Sequence, residues 1–185
     1  MKPTTRIVFL NGVGSVGKSS IARELQAIVA EPFMHVQMDG FLDMLPQAYE
    51  NHPASFTYET VIEAGKPVVM IKGGPVGERL MRGMRHAIAS MAGQGNNLIV
   101  DEVMEASQWA EYAELLSSFE VSLVGLFAPL EVLEARELNR GDRLIGLARG
   151  QFGRIHKGMT YDLEIDTSDV TAMECAKLIK HELGL

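Results

Sequence analysis

The residues with the clearest chemical signature form one short segment, Gly12-Val13-Gly14-Ser15-Val16-Gly17-Lys18-Ser19, which has the spacing glycine, four residues, Gly-Lys-Ser. We call this segment the phosphate-binding loop. Its glycines let a tight turn point successive backbone N–H groups inward at a phosphate. Lys18 supplies a cation for terminal phosphates, and the Ser19 hydroxyl can reach a Mg²⁺ ion that bridges them. The segment therefore predicts a nucleoside triphosphate site.

The chain on both sides of this loop has the pattern that such a site needs. Arg6 to Leu10 is an apolar, partly β-branched run typical of a buried parallel strand. After the loop, apolar residues such as Ile21 and Leu25 recur at helical spacing, so Ser19 lies in the first turn of a helix whose N-terminus favours anions. This order favours a nucleotide-binding loop, extended to Ser20, over a glycine-rich turn that binds nothing.

Acidic residues follow two of the predicted strands. Asp39 comes directly after the second strand, and Asp101 and Glu102 end the apolar run Leu98-Ile99-Val100. Ligands of open parallel sheets bind at the carboxyl ends of strands. Asp101 is therefore predicted to reach Mg²⁺ through its water shell, as in P-loop NTPases, with Glu102 as the alternative. Asp39 is a candidate catalytic group or, alternatively, the N-cap of a short helix at 41–45.

Arginines are concentrated between Arg136 and Arg154 in a chain whose net charge is -7. Gly141 and Gly146 interrupt this segment, which favours a mobile lid over a solvated helix face with Glu/Arg pairs. Phosphoryl transfer spreads negative charge over the transferring group, and a closing segment that bears arginines stabilises this charge and excludes water. We therefore predict an arginine-bearing lid at approximately residues 137–155.

The composition indicates one globular domain that spans residues 1–185. Hydrophobic residues make up 46% of the chain and charged residues 22%, and no apolar run is long enough to span a bilayer. The first residues lead straight into a strand without a secretory signal, which predicts a cytoplasmic location. The negative net charge argues against a nucleic-acid partner. The single cysteine, Cys175, excludes an intrachain disulfide and is predicted to be a core residue.

Strands and amphipathic helices alternate along the remaining chain. This alternation predicts an α/β fold, with a parallel sheet of about five strands flanked by helices. An edge strand is predicted at Tyr161–Asp166, followed by a last helix that Thr167-Ser168-Asp169 caps. Pro46 to Tyr58 shows no helix or strand period and is predicted to be a surface excursion, either a substrate-binding segment or a solvated loop.

These motifs together resemble the chloramphenicol phosphotransferase family of small P-loop kinases. The resemblance covers most of the chain, and Arg140-Gly141-Asp142-Arg143 followed by the Tyr161-Asp162 strand is its most specific part. The other matching segments are Leu10-Asn11-Gly12 through Ser19, Asp39, Val100-Asp101-Glu102-Val103 and Glu174-Cys175-Ala176. The resemblance implies an ATP-dependent, Mg²⁺-assisted kinase that phosphorylates a hydroxyl of a small molecule such as chloramphenicol, which would be an antibiotic-resistance activity.

Carried over by position, the resemblance also implies roles for single residues. Asp39 would be the general base on the acceptor hydroxyl, Gly12 to Ser19 would hold ATP and Mg²⁺, and Arg140 and Arg143 would face the phosphates. Arg136 is assigned to the nucleotide as well. Two alternatives stay open, namely a nucleoside or nucleotide kinase and a regulatory module that binds a nucleotide without transferring its phosphate. The absence of arginine between Asp39 and Tyr58 disfavours an acceptor that already carries phosphate.

Overall fold

The computed structural model describes residues 5–141 and 143–185, so Asp142 of the Arg-Gly-Asp-Arg segment lies outside the described residues. Strands and helices alternate as the sequence predicts. They are β1 (Arg6–Asn11), α1 (Lys18–Ile28), β2 (Phe33–Gln37), α2 (Met38–Leu42), β3 (Phe56–Glu63), β4 (Lys66–Gly73), α3 (Pro75–Gly93), β5 (Asn97–Glu102), α4 (Ala106–Leu115), β6 (Glu120–Phe127), α5 (Leu130–Arg140), α6 (Leu147–Gln151), β7 (Leu163–Asp166) and α7 (Ala172–Glu182).

The main sheet has five strands in the order β2-β5-β1-β6-β7. All neighbouring pairs in it are parallel, which confirms the predicted fold class. Asp101 pairs in register with Gln37 on one side and with Leu10 on the other. The carboxyl ends of β2, β5 and β1 therefore lie side by side, and the residues that follow these strands meet at one edge of the sheet.

The core lies on both faces of this sheet. Alternate residues of β1 point to opposite sides, so Ile7 and Phe9 pack with residues of α3 and α4, whereas Val8 and Leu10 pack with residues of α1 and α7. Cys175 of α7 is 2% exposed, and its place in the second of these layers confirms the predicted core role. Among the described residues, no helix combines the length and the apolar character that crossing a membrane requires.

A second, two-stranded sheet stands outside the main one. β3 and β4 form an antiparallel hairpin, and a single 3₁₀ turn covers Gln47–Tyr49. The prediction of an irregular segment at 46–58 was therefore wrong at its end, because β3 begins at Phe56. Ala64 and Gly65, with φ of 48° and 78°, form the two-residue turn that a tight hairpin requires.

The last helix has a different cap from the predicted one. Thr171 is its N-cap, and the Thr171 hydroxyl accepts a hydrogen bond from the backbone N–H of Glu174. The side-chain carboxylate of Glu174 in turn accepts from the backbone N–H of Thr171. This reciprocal capping box satisfies two backbone donors at the helix start. Thr167 instead packs against the phosphate-binding loop, where its hydroxyl donates to the carbonyl of Val16 at 3.0 Å.

Candidate active site

A cleft of about 610 Å³ lies at the carboxyl ends of β1, β2 and β5. One side, which we call the nucleotide half, is lined by residues of the segment from Arg140 to Ile155 and by six residues of the loop. These six are Gly14, Ser15, Gly17, Lys18, Ser19 and Ser20. The other side, the acceptor half, is lined by side chains from α2, the hairpin, α3, β5 and α4. The residues of the acceptor half are Met38, Leu42, Phe56, Tyr58, Ile71, Glu78, Met81, Arg82, Arg85, Glu102 and Gln108. Asp39 and Asp101 also line the cleft, and the charge of Asp39 acts on Lys18 of the nucleotide half and on Tyr58 of the acceptor half.

Backbone geometry fixes the shape of the phosphate-binding loop. Gly17 has a φ of 103°, and a Cβ on Gly12 would stand 2.6 Å from the carbonyl oxygen of Leu126. A side chain at position 12 would clash with Leu126, and a side chain at position 17 would strain the backbone, so the motif needs glycine at both positions. Gly12, Val13 and Val16 support the loop from behind and do not themselves line the cleft.

Lys18 is buried at the base of this loop. Its Nζ donates to the carbonyl oxygens of Gly12 at 2.8 Å and Val13 at 3.1 Å. Burial lowers the pKa of Lys18, opposed by the negative charges of Asp101 and Asp39. A buried cation whose hydrogen bonds go to two carbonyl oxygens is well placed to bind phosphate oxygens.

One backbone donor of the loop is already engaged by the segment opposite. The N–H of Gly14 donates to Oε1 of Gln151, the last residue of α6, at 2.7 Å. Backbone N–H groups of such loops are the groups that bind phosphate oxygens. The amide oxygen of Gln151 therefore takes a position that a phosphate oxygen would otherwise fill.

The two predicted metal ligands meet directly. The hydroxyl of Ser19 donates to Oδ2 of Asp101 at 2.5 Å, and Nε2 of His35 lies 3.5 Å from the same oxygen. Burial alone raises the pKa of Asp101, but His35, Lys18 and Ser19 together lower it below its usual value. Asp101 is thus an anion beside a hydroxyl oxygen, and paired oxygen donors of this kind fit Mg²⁺.

Asp39 lies in the first turn of α2 and faces the cleft. It is not the N-cap of a helix at 41–45, because α2 begins at Met38 and its N-cap is Gln37. Oδ2 of Asp39 accepts a hydrogen bond from Nη2 of Arg143 at 2.7 Å. A residue of the predicted lid therefore contacts the predicted general base.

The other predicted arginines separate into two groups. Arg140 and Arg154 line the cleft with Arg143, and the charges of Arg143 and Arg140 contribute to the lowered pKa of Lys18. Arg136 does not line the cleft. It donates from Nη2 to the carbonyl oxygens of Thr167 and Ser168, at 2.6 and 3.2 Å, and so joins α5 to the segment after β7.

The segment predicted to form the lid is docked on the hairpin. The backbone N–H of Val69 in β4 donates to the carbonyl of Gly146 at 2.9 Å. Glu137, 2% exposed, accepts hydrogen bonds from the N–H groups of Gly146 and Ala148, each at 2.8 Å. This buried carboxylate accepts hydrogen bonds from N–H groups that have no partner within α6, and thereby holds Gln151 and Arg154 over the cleft.

Sequence reasoning missed a buried network at the floor of the acceptor half. The hydroxyl of Tyr112 donates to Oε2 of Glu102 at 2.7 Å, and Nε of Arg85 lies 2.6 Å from Oε2 of Glu111. Burial raises the pKa of Glu102 to about 7, although Tyr112 and Arg85 oppose the shift. The available signal was Arg85 itself, because a charged residue on the apolar stripe of α3 is seldom buried unless it is paired.

The comparisons with known proteins agree with this geometry. A family model described as "Chloramphenicol phosphotransferase-like protein" matches residues 5–184. The Mycobacterium tuberculosis protein "Putative O-phosphotransferase Rv2636" is 31% identical over 181 residues, which are 95% of this chain and 80% of the relative.

Two solved structures superpose on nearly the whole chain. The APS kinase CysC of Mycobacterium tuberculosis, solved with AMPPNP and APS, has a TM-score of 0.68 at 15% identity and covers 99% of both chains. The tunicamycin resistance protein of Deinococcus radiodurans has a TM-score of 0.66 at 18% identity and covers 98% of this chain and 96% of its own. At these identities the likeness shows the fold.

Proposed function

The chain belongs to the chloramphenicol phosphotransferase-like family, and from that premise we propose that it transfers the γ-phosphoryl group of ATP to a hydroxyl of a small molecule, chloramphenicol or a similar compound. One observation carries the proposal. A phosphate-binding loop and a carboxylate, Asp39, face the same cleft from opposite sides of Asp101. Phosphoryl transfer needs this arrangement of phosphate site and acceptor base.

Asp39 is proposed as the general base. Arg143 engages its Oδ2, which leaves Oδ1 to accept the proton of the acceptor hydroxyl. A base must lie within hydrogen-bond reach of the proton that it removes, and Asp39 lies where the two halves of the cleft meet. The guanidinium of Arg143 holds this carboxylate in position and brings a positive charge next to the transferring group.

Lys18, Arg140 and Arg143 are proposed to stabilise the negative charge that develops on the transferred group. Lys18 is fixed at the base of the loop by two carbonyl oxygens, whereas the arginines reach the cleft from the opposite wall. Ser19 and Asp101 would hold Mg²⁺, which neutralises charge on the phosphate oxygens when it is bound. The remaining residues of the loop, through Ser20, would bind the phosphates of ATP through their backbone N–H groups.

The proposal is tested by following product mass with purified protein, ATP, Mg²⁺ and chloramphenicol. We expect chloramphenicol to gain the mass of one phosphate, and we expect Lys18→Ala and Asp39→Asn to abolish the gain. Asp43→Asn is the matched control, because Asp43 is exposed at the end of α2 and does not line the cleft. Unmodified chloramphenicol in a preparation that binds ATP would refute this acceptor.

The same experiment separates the two alternatives. Phosphorylation of a nucleoside in place of chloramphenicol would support a nucleoside kinase, which shares the chemistry of Lys18 and Asp39. ATP that is bound and never transferred to any member of a broad set of hydroxyl compounds would support the regulatory module.

A further inference from the structure

Among the described residues of the acceptor half, three buried polar atoms on two side chains make no hydrogen bond. They are the donors Nε and Nη1 of Arg85 and the acceptor Oε1 of Glu102. Arg85 is 8% exposed and Glu102 is 1% exposed, yet both residues belong to the lining of the cleft. A polar atom that is buried without a partner destabilises a fold, and a ligand that supplies the missing bond recovers this free energy on binding.

Neighbouring side chains fix the orientation of both groups. Glu111 holds Nε of Arg85 in an ion pair at 2.6 Å, and the Tyr112 hydroxyl donates to the other oxygen of Glu102 at 2.7 Å. The ion pair with Glu111 fixes the guanidinium without a hydrogen bond to Nε or Nη1, and the Tyr112 hydroxyl satisfies one oxygen of Glu102 and leaves Oε1 unbonded. The acceptor half thus presents guanidinium N–H donors and one carboxyl oxygen in a wall that also carries apolar side chains such as Phe56 and Met81.

We propose that Arg85 and Glu102 bind a second, non-reacting hydroxyl of the acceptor, so that the acceptor is a neutral molecule with at least two hydroxyl groups and an apolar part. The inference rests on the kinase function proposed above. A hydroxyl accepts one hydrogen bond and donates another, which matches a guanidinium N–H beside a carboxyl oxygen. Both atoms are enclosed in this structure, so a local movement of side chains in the wall accompanies binding.

Charge excludes the other classes of ligand group. A carboxylate or phosphate next to Arg85 would also lie close to Glu102 and Glu111, and like charges in a poorly solvated site repel strongly. A cation would meet the guanidinium groups of Arg82 and Arg85. A ketone or an ether accepts from Arg85 but cannot donate to a carboxylate oxygen of Glu102, whereas a hydroxyl does both through a single oxygen atom.

The inference is tested with pairs of acceptors that differ in one hydroxyl. The compounds are chloramphenicol, which has two hydroxyls, its two analogues that each lack one of them, and a carboxylate analogue of similar size. We expect Arg85→Met to raise KM for the two-hydroxyl compound about 10- to 100-fold, the loss of one charge-assisted hydrogen bond. KM for ATP and for the analogue that keeps only the reacting hydroxyl should stay within about twofold.

Two further variants make the result specific. Glu102→Gln keeps the size of the side chain and should raise the same KM by a smaller factor, because an amide oxygen still accepts a hydrogen bond without the negative charge. Arg79→Met is the matched control, since Arg79 lies on the same helix, is exposed and does not line the cleft. Thermal unfolding of each variant shows whether its fold is intact.

The outcomes distinguish this inference from the function on which it rests. If Arg85→Met raises KM equally for the two-hydroxyl compound and for its one-hydroxyl analogue, the subsite is overturned and the kinase function still stands. The two-hydroxyl compound could also bind without being phosphorylated, which equilibrium dialysis would detect. If Arg85→Met then weakens this binding, the subsite is supported and the kinase function is overturned. Preferred phosphorylation of the carboxylate analogue, or no binding of any compound, would overturn the subsite.

Discussion

The two halves of the cleft are built from the chain in different ways. The nucleotide half depends on one continuous segment, Gly12 to Ser19, completed by a carboxylate at the end of the neighbouring strand. The acceptor half is assembled from six elements spread between Met38 and Gln108, each contributing one to four side chains. A triphosphate has the same shape in every enzyme and can be held by a fixed spacing, whereas the acceptor must be matched by a surface that differs from enzyme to enzyme.

The halves also differ in what satisfies their polar groups. In the nucleotide half Lys18 donates to two carbonyls, Ser19 donates to Asp101, and the backbone N–H of Gly14 donates to Gln151. In the described part of the acceptor half, three buried atoms on Arg85 and Glu102 have no hydrogen bond. The first half is thus ready to exchange internal partners for phosphate oxygens, and the second lacks bonds that an acceptor can supply.

The largest expected effect separates the halves by kinetics. Asp39→Asn should lower kcat about 10²- to 10⁴-fold, because the amide cannot accept the proton of the acceptor hydroxyl. The dissociation constant for ATP should change little, since the phosphate-binding loop keeps all of its own contacts. Steady-state rates with the true acceptor, together with calorimetric titration of ATP, measure the two quantities.

The control for this prediction is Asp43→Asn, which changes the same functional group in an exposed position just after α2. It should match the wild type in both measurements. If Asp39→Asn retained the wild-type kcat, Asp39 would not be the general base, and the acceptor half could no longer be assigned by its position next to this carboxylate.

The contrast explains what could be predicted from the sequence. The five parallel strands were predictable because apolar runs followed by helical spacing repeat along the chain, and Ser19 and Asp101 were predictable because phosphate chemistry fixes their places. The first strand of the hairpin, β3, was missed although Phe56 to Glu63 is rich in aromatic and β-branched residues, because it follows a polar segment without a period. The sequence could not show that Arg85 and Glu102 line the same site, since only the fold brings α3 and the end of β5 together.

A pH titration sharpens the contrast at the floor of the acceptor half. Burial raises the pKa of Glu102 to about 7 from an ordinary value of 4.5. A carboxyl whose folded pKa is raised contributes stability that is complete below its unfolded pKa and is lost as pH rises through the folded one. Relative to the wild type, Glu102→Gln should therefore gain up to about 3 kcal/mol of unfolding free energy between pH 5 and pH 8.

Denaturant unfolding of both proteins at several pH values measures this difference. Glu114→Gln is the control, because Glu114 is exposed on α4 and its substitution should leave the pH profile of stability unchanged. Parallel profiles for the wild type and Glu102→Gln would mean that Glu102 is solvated like an ordinary carboxylate, and the floor of the acceptor half would then differ little from the protein surface.

The smallest expected effect concerns the contact that closes the nucleotide half. Oε1 of Gln151 must leave the N–H of Gly14 before a phosphate oxygen can bind there. Gln151→Ala removes this competitor, so the dissociation constant for a non-hydrolysable ATP analogue should fall roughly 2- to 10-fold, the worth of one net hydrogen bond. Gln94→Ala, at an exposed position beyond α3, should have no effect. A weaker affinity in Gln151→Ala would instead show that Gln151 binds the nucleotide, and both halves of the cleft would then rely on the segment between Arg140 and Ile155 for their ligands.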